Sequence, residues 1–241
     1  MRLRLLFLIV CSFFIMSCAY QAVPTQPLEM STTKRLSVIQ ARLLLGQWLL
    51  AKEQLDQVDE LDQGREYWRL LSLYWLSLDE NKEAASVHEK ALLNYPNDDF
   101  ILNNYGVLLG TQKRWVDACS VFKKADENSL SQRQTVKINL ARCSIRQNDV
   151  KLALFYLNQA KEIADLPLIG LMTELNLVLI QGNYNNARII LNNIQASKKI
   201  AQGSVHFDEY NCLSRQLNAR EIDPTLYSSA SNFTCLNGSR Y

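Results

Sequence analysis

The sequence predicts an all-α fold, a right-handed superhelical solenoid of about five stacked helix pairs. Three observations predict it. Small residues recur at fixed offsets with a period of about 34 residues, the spacing of tetratricopeptide units. Glycine and proline are scarce, 8 and 5 in 241 residues, which favours helix over a turn-rich β-sandwich. Apolar residues make up 48% of the chain, enough for a continuous core. The clearest copy carries Tyr105-Gly106 in its first helix, Trp115 at the turn, and Ala118, Phe122 and Ala125 in its second. The same marks return as Trp68, Ala84, Ala91 and Pro96, and again as Leu140, Ala153, Leu157 and Ala160.

Residues 1–17 read as a lipoprotein signal peptide. Arg2 and Arg4 form a positive n-region, and Leu5 to Met16 is an apolar run of about a dozen residues. As a helix that run is too short to span roughly 30 Å of hydrocarbon. It ends in Ile15-Met16-Ser17-Cys18, an aliphatic residue three before a cysteine and a small one just before it. This is the bacterial lipobox, in which Cys18 becomes the new N-terminus and carries the lipid. The alternative is an ordinary signal peptide cleaved nearby, with Cys18 incidental. Ala19, rather than an aspartate, permits sorting to an outer membrane. Residues 18–31, with Pro24 and Pro27, read as a flexible tether.

The repeat domain is expected over 32–201, with units at about 32–64, 65–98, 99–133, 134–167 and 168–201. Gly46-Gln47-Trp48, Asn148-Asp149 and Gly182-Asn183-Tyr184 mark turns between paired helices, and Pro96 stops a helix. The offsets have a physical reason. A small residue early in the second helix lets the two helices of a pair approach. A large residue four further on fills the gap, and a second small residue three beyond that admits the next unit. No unit can bury its apolar face alone, so at least three must stack. Residues 202–241 are expected to form a capping helix, over about Val205–Leu217, and a tail rich in Ser and Asn.

Charge and cysteine content exclude several classes. The formal net charge is +2, and removing Arg2 and Arg4 with the leader leaves a neutral chain. Neutrality argues against nucleic acid, which needs a basic face, and against broad electrostatic adhesion to membranes. Of six cysteines, Cys11 and Cys18 belong to the leader and lipobox. Cys119 and Cys143 fall inside repeat helices, where cysteine is usually a small buried apolar residue. Cys212 and Cys235 lie in the C-terminal region, where an oxidising compartment would let them pair. No Cys-x-x-Cys or His-x-x-x-His spacing exists, so no metal is expected. Nucleophile elbows, phosphate-cradling glycine loops and Glu-x-x-His pairs are missing too, so no enzyme, cofactor or small-molecule substrate is expected.

At Leu102-Asn103-Asn104-Tyr105-Gly106-Val107-Leu108-Leu109 the repeat resembles the type IV pilus biogenesis/stability lipoprotein family PilW, also called PilF. Lys113-Arg114-Trp115 with Ala118 and Phe122, and Asn139-Leu140-Ala141-Arg142-Cys143, are similar to that family's neighbouring segments. The resemblance covers roughly residues 18–195. It departs at Arg35, where a tryptophan is typical, and in the Cys212–Cys235 region. It implies a pilotin: an outer-membrane lipoprotein facing the periplasm, anchored through Cys18, that binds the secretin subunit or another pilus-assembly protein. The alternative is an adaptor lipoprotein of a tight-adherence pilus or an envelope polysaccharide export system.

In a tetratricopeptide stack the first helix of each pair lines the concave groove. Its polar positions here are Gln40, Arg69, Asn103, Asn104, Arg142, Arg146 and Asn176. An asparagine amide can donate to and accept from an extended backbone, and an arginine can grip a carboxylate with two parallel bonds. The same residue types also occupy solvated faces and braces between repeats. Trp68 and Trp75 sit at packing offsets, whereas Tyr67 and Tyr74 are expected to be partly exposed. His88 occupies a filler position in its helix.

Overall fold

The computed structural model describes residues 30–130, 133–197, 200, 206–223 and 235. The leader at 1–17, Cys18 and nearly all of the tether lie outside the described residues, as does most of the tail. Among the described residues there are eleven α-helices and no strand. They are α1 (Thr32–Leu44), α2 (Trp48–Asp56), α3 (Arg65–Ser77), α4 (Asn81–Asn94), α5 (Asp99–Thr111) and α6 (Trp115–Glu127). They continue as α7 (Gln134–Arg146), α8 (Val150–Ile163), α9 (Leu168–Ile180), α10 (Tyr184–Ala196) and α11 (Phe207–Ile222). A single 3₁₀ turn at Glu60–Asp62 joins α2 to α3.

Each odd-numbered helix up to α9 packs on the even one that follows it and on its counterparts in neighbouring pairs. The small residues do what their spacing requires. Ala51, Ala84, Ala118, Ala153 and Ala187 stand at the same place in the five second helices, and all are buried. Phe122 and Leu157 fill the gaps beside them, and Ala91, Ala125 and Ala160 admit the next pair. The core is therefore a chain of overlapping apolar clusters along the stack.

The turn inside each pair is built the same way five times. A residue with positive φ follows each first helix: Gly46, Asp79, Lys113, Asn148 and Gly182. The next amide then bonds back into the helix, as Gln47 N does to Arg42 O and Arg114 N to Leu109 O, both at 2.9 Å. This is the left-handed helix stop, which satisfies carbonyls that would otherwise be orphaned. Only the two glycines adopt it without a steric penalty.

Two expectations are corrected. Tyr67 and Tyr74 are buried and Trp68 and Trp75 only half-buried, the reverse of their assignment. Tyr67, Leu70 and Tyr74 form the i, i+3, i+7 stripe that α3 turns toward the first pair. The two indoles lie one position over and meet the tyrosine rings edge-on. Cys119 and Cys143 are not free thiols but a disulfide, with Cα atoms 5.7 Å apart. It joins α6 to α7, so it crosses from the third pair to the fourth. Both helices carry their cysteine on the face turned to the other, which repeat spacing alone does not reveal. Cys212 on α11 is also disulfide-bonded, to Cys235.

Candidate partner-binding groove

The seven polar positions of the first helices do not share one open surface. Gln40 is exposed on α1. Arg69 on α3 is half-buried and committed to acids. Its Nε donates to both oxygens of Asp98, at 2.9 and 3.0 Å, and the same guanidinium pairs with Asp99 and Glu66. Burial alone would pull the Arg69 guanidinium down, but the Asp98 bonds and the three acids outweigh it and hold it above its ordinary value. Asp98 also caps α5 by accepting from the Phe100 and Ile101 amides. Asp99 accepts from Ser129 and from Arg133. Its carboxyl would rise on burial, yet the Arg133 and Ser129 bonds and the Arg133 and Arg69 charges bring it below the ordinary range. Around this network lies a cavity of about 420 Å³, lined also by Arg65, Tyr95 and Leu130.

Further along the stack the first helices close together. Asn103 is half-buried and accepts from the Asn139 amide at 2.9 Å, which braces α5 against α7. Asn104 is buried, and its Nδ2 has no hydrogen-bond partner. Arg146 is half-buried with its guanidinium 3.4 Å from the centre of the Trp115 ring. Asn176 is fully buried, and neither amide atom has a hydrogen-bond partner. Arg142 was expected to grip a partner's carboxylate. It grips one from its own chain: Nη1 and Nη2 donate to the two oxygens of Glu209 on α11, at 2.9 and 3.1 Å. Both side chains are 0% exposed.

The C-terminal helix thus occupies the position a sixth first helix would take. It packs on α9 and α10 through Leu213 and Leu217 and sends Glu209 past α9 to α7. Arg220 at its other end donates to the Leu179 carbonyl. Sequence reasoning missed Glu209. The available signal was an acid four residues before Leu213 and eight before Leu217, on the stripe that must face inward. Of the predicted groove residues, Arg142, Asn104 and Asn176 are closed off, while Gln40, Arg69 and Asn103 keep some exposure. His88 is buried. Its Nδ1 lies 2.7 Å from the Ala84 carbonyl and its ring stacks on Tyr105. Among the described residues no cluster of three or more His, Cys, Asp or Glu is placed to hold a metal, and no helix is long and apolar enough to cross a membrane.

No family model matches the chain, and no curated protein sequence matches it. Its fold does have solved counterparts. The structure is similar to PilF of Pseudomonas aeruginosa, with a TM-score of 0.59 and 19% identity over 80% of this chain and 92% of that one. It is similar to PilW, described as a widely conserved type IV pilus biogenesis factor, with a TM-score of 0.60 and 15% identity over 83% of this chain and 96% of that one. A similar match, TM-score 0.60 and 14% identity, spans 89% of this chain but 40% of its counterpart in the Cut9–Hcn1 hetero-tetramer of the APC/C. The helix-repeat fold expected from the sequence is therefore shared with PilF and PilW.

Proposed function

We propose that this chain is a lipid-anchored pilotin: a non-enzymatic scaffold on the periplasmic face of an outer membrane that supports type IV pilus biogenesis by binding the secretin subunit. The observation that carries this reading is the likeness to PilF and PilW across nearly their whole length. The Cut9–Hcn1 match covers only part of its counterpart and speaks for the repeat fold in general. The Leu102–Leu109 line supports the narrower assignment.

The two disulfides support a compartment outside the cytoplasm, because reducing cytosols rarely keep such bonds. Ile15-Met16-Ser17-Cys18 supports anchoring through an acylated Cys18. Because Glu209 already fills the Arg142 site, the partner engages the less enclosed N-terminal part of the stack, around Gln40, Arg69 and Asn103.

Deleting the gene and measuring surface pili and heat-stable secretin multimers tests the function. Both fall if the reading is right, and normal multimers in normal amounts refute it. Metabolic labelling with palmitate tests the anchor: wild type takes up label and Cys18→Ser does not.

A further inference from the structure

The first helix pair ends in an apolar tip that nothing in the fold covers. Leu44, Leu45 and Leu49 are 78%, 71% and 82% exposed, and Leu50 is 41% exposed. Trp48 stands half-buried at the base of the tip, its indole against Gly46. The terminal unit of a solenoid ordinarily turns a polar face outward to keep the stack soluble. This one presents four leucines on a single turn.

The charge around the tip is one-sided. From Thr32 to Lys52 the chain carries Lys34, Arg35, Arg42 and Lys52 and not one acid. Arg35 donates to Gln54 and Gln57, and Lys52 pairs with Asp56 at 2.5 Å. Glu53 and Asp56 begin only beyond the first turn of α2. An overall neutral protein thus concentrates positive charge where it also exposes leucine and tryptophan. That pairing of apolar tip and cationic collar fits the boundary of an anionic bilayer, where leucine enters the acyl layer, indole sits at headgroup depth and lysine and arginine meet phosphate.

We infer that the α1–α2 tip is a membrane-contact site that takes the headgroup–acyl boundary of anionic phospholipid. Its reach rests on the proposed anchor at Cys18. The 14 residues from there to Thr32 can extend about 45 Å, and α1 is only about 20 Å long, so an anchored chain can lay its tip on the same leaflet. The lipid then holds the protein at two points, and the second fixes the orientation of the stack relative to the membrane.

The test uses residues 18–241 with Cys18→Ser, made without an acyl chain. The described fold begins at Met30, so omitting the leader removes none of it. Sedimentation with vesicles of phosphatidylglycerol and phosphatidylethanolamine is compared with pure phosphatidylcholine. The protein is expected to bind the anionic vesicles more strongly. Leu44→Ser/Leu45→Ser/Leu49→Ser is expected to lower partitioning about tenfold or more at an unchanged melting temperature, since these side chains are exposed. Arg42→Gln/Lys52→Gln is expected to weaken binding to anionic vesicles only. No binding by the unacylated protein, or equal binding by the triple variant, overturns the proposal. If the triple variant instead loses self-association or a bound envelope protein while vesicle binding is unchanged, the tip is a protein interface and the proposal also falls. Palmitate labelling reads the anchor separately, so an acylated protein whose unacylated form ignores vesicles sinks the tip and leaves Cys18 standing.

Discussion

Gly106 offers the sharpest test of how these helix pairs are packed. A Cβ built there lies 2.6, 2.8 and 2.9 Å from three carbons of the Phe122 ring, where ordinary contact begins near 3.4 Å. The ring would have to retreat by about 0.8 Å. It has little room, because Phe122 is 0% exposed and packs among Leu102, Leu109 and Ala118. Cys119, in the same cluster, is fixed to Cys143. Replacing a mid-helix glycine by alanine ordinarily stabilises by about 1 kcal/mol. Overpacking costs about 1–3 kcal/mol, and a pinned cluster belongs at the upper end. Gly106→Ala is therefore expected to destabilise by about 1–2 kcal/mol, lowering the melting temperature by about 3–6 °C for a domain of this size. In a Phe122→Leu background the clash disappears and the sign reverses, with Gly106→Ala stabilising by up to about 1 kcal/mol. Thermal melts by circular dichroism of the four proteins complete the cycle. A Gly106→Ala melting temperature at or above wild type, or the same loss in both backgrounds, refutes the packing argument.

Three further outcomes are expected. Burial holds His88 neutral in the fold down to about pH 4, despite its bond to the Ala84 carbonyl, while in the unfolded chain it ionises near 6.5. The unfolded state binds the extra proton between those values, so stability is flat above about 6.5 and is lost as the pH falls toward 4, by up to about 3 kcal/mol. Urea titrations of wild type and His88→Leu at pH 7.5 and 4.5 should differ mainly in that slope. His206, also lowered by burial, leaves a remainder of the same sign in both. Arg142→Met should cost about 3–5 kcal/mol by stranding a buried Glu209, whereas adding Glu209→Leu should recover most of it; a single-variant loss below about 1 kcal/mol would mean that water reaches the pair. Cys119→Ala/Cys143→Ala should lower stability by about 3.5 kcal/mol from the entropy of a loop of 24 residues, read as a shifted urea midpoint under oxidising conditions and no shift under reducing ones.

The repeat architecture was legible because it is written in residues with only one use. An alanine at 51, 84, 118, 153 and 187 marks a close helix approach whatever surrounds it. Turns were legible at Gly46 and Gly182 but less so at Lys113, whose positive φ is imposed by the repeat and not preferred by the residue. The exposure of Tyr67 and Trp68 was misjudged because a one-residue rotation of the α3 stripe swaps them, and helical spacing fixes a stripe only to within that step. The groove was legible as a list of side chains but not as a surface. Whether Arg142 faces water or Glu209 depends on where a helix 67 residues further along comes to rest. The Cys119–Cys143 bond was hidden for the same reason: it joins different pairs, and sequence periodicity describes each pair better than the contact between two of them.

The bond between α6 and α7 also sets how the molecule answers a pulling force. A protein fixed to a membrane at one end and to a moving assembly at the other is a tether under load. Repeats that touch only their neighbours peel one at a time, each lengthening the tether as it opens. Between Cys119 and Cys143 the covalent strap withholds the intervening 24 residues, about 80 Å of extended chain, from any such lengthening. Pulled from its ends, the solenoid would stretch on either side of a middle that cannot give, and it would keep a folding template at its centre when the load is released.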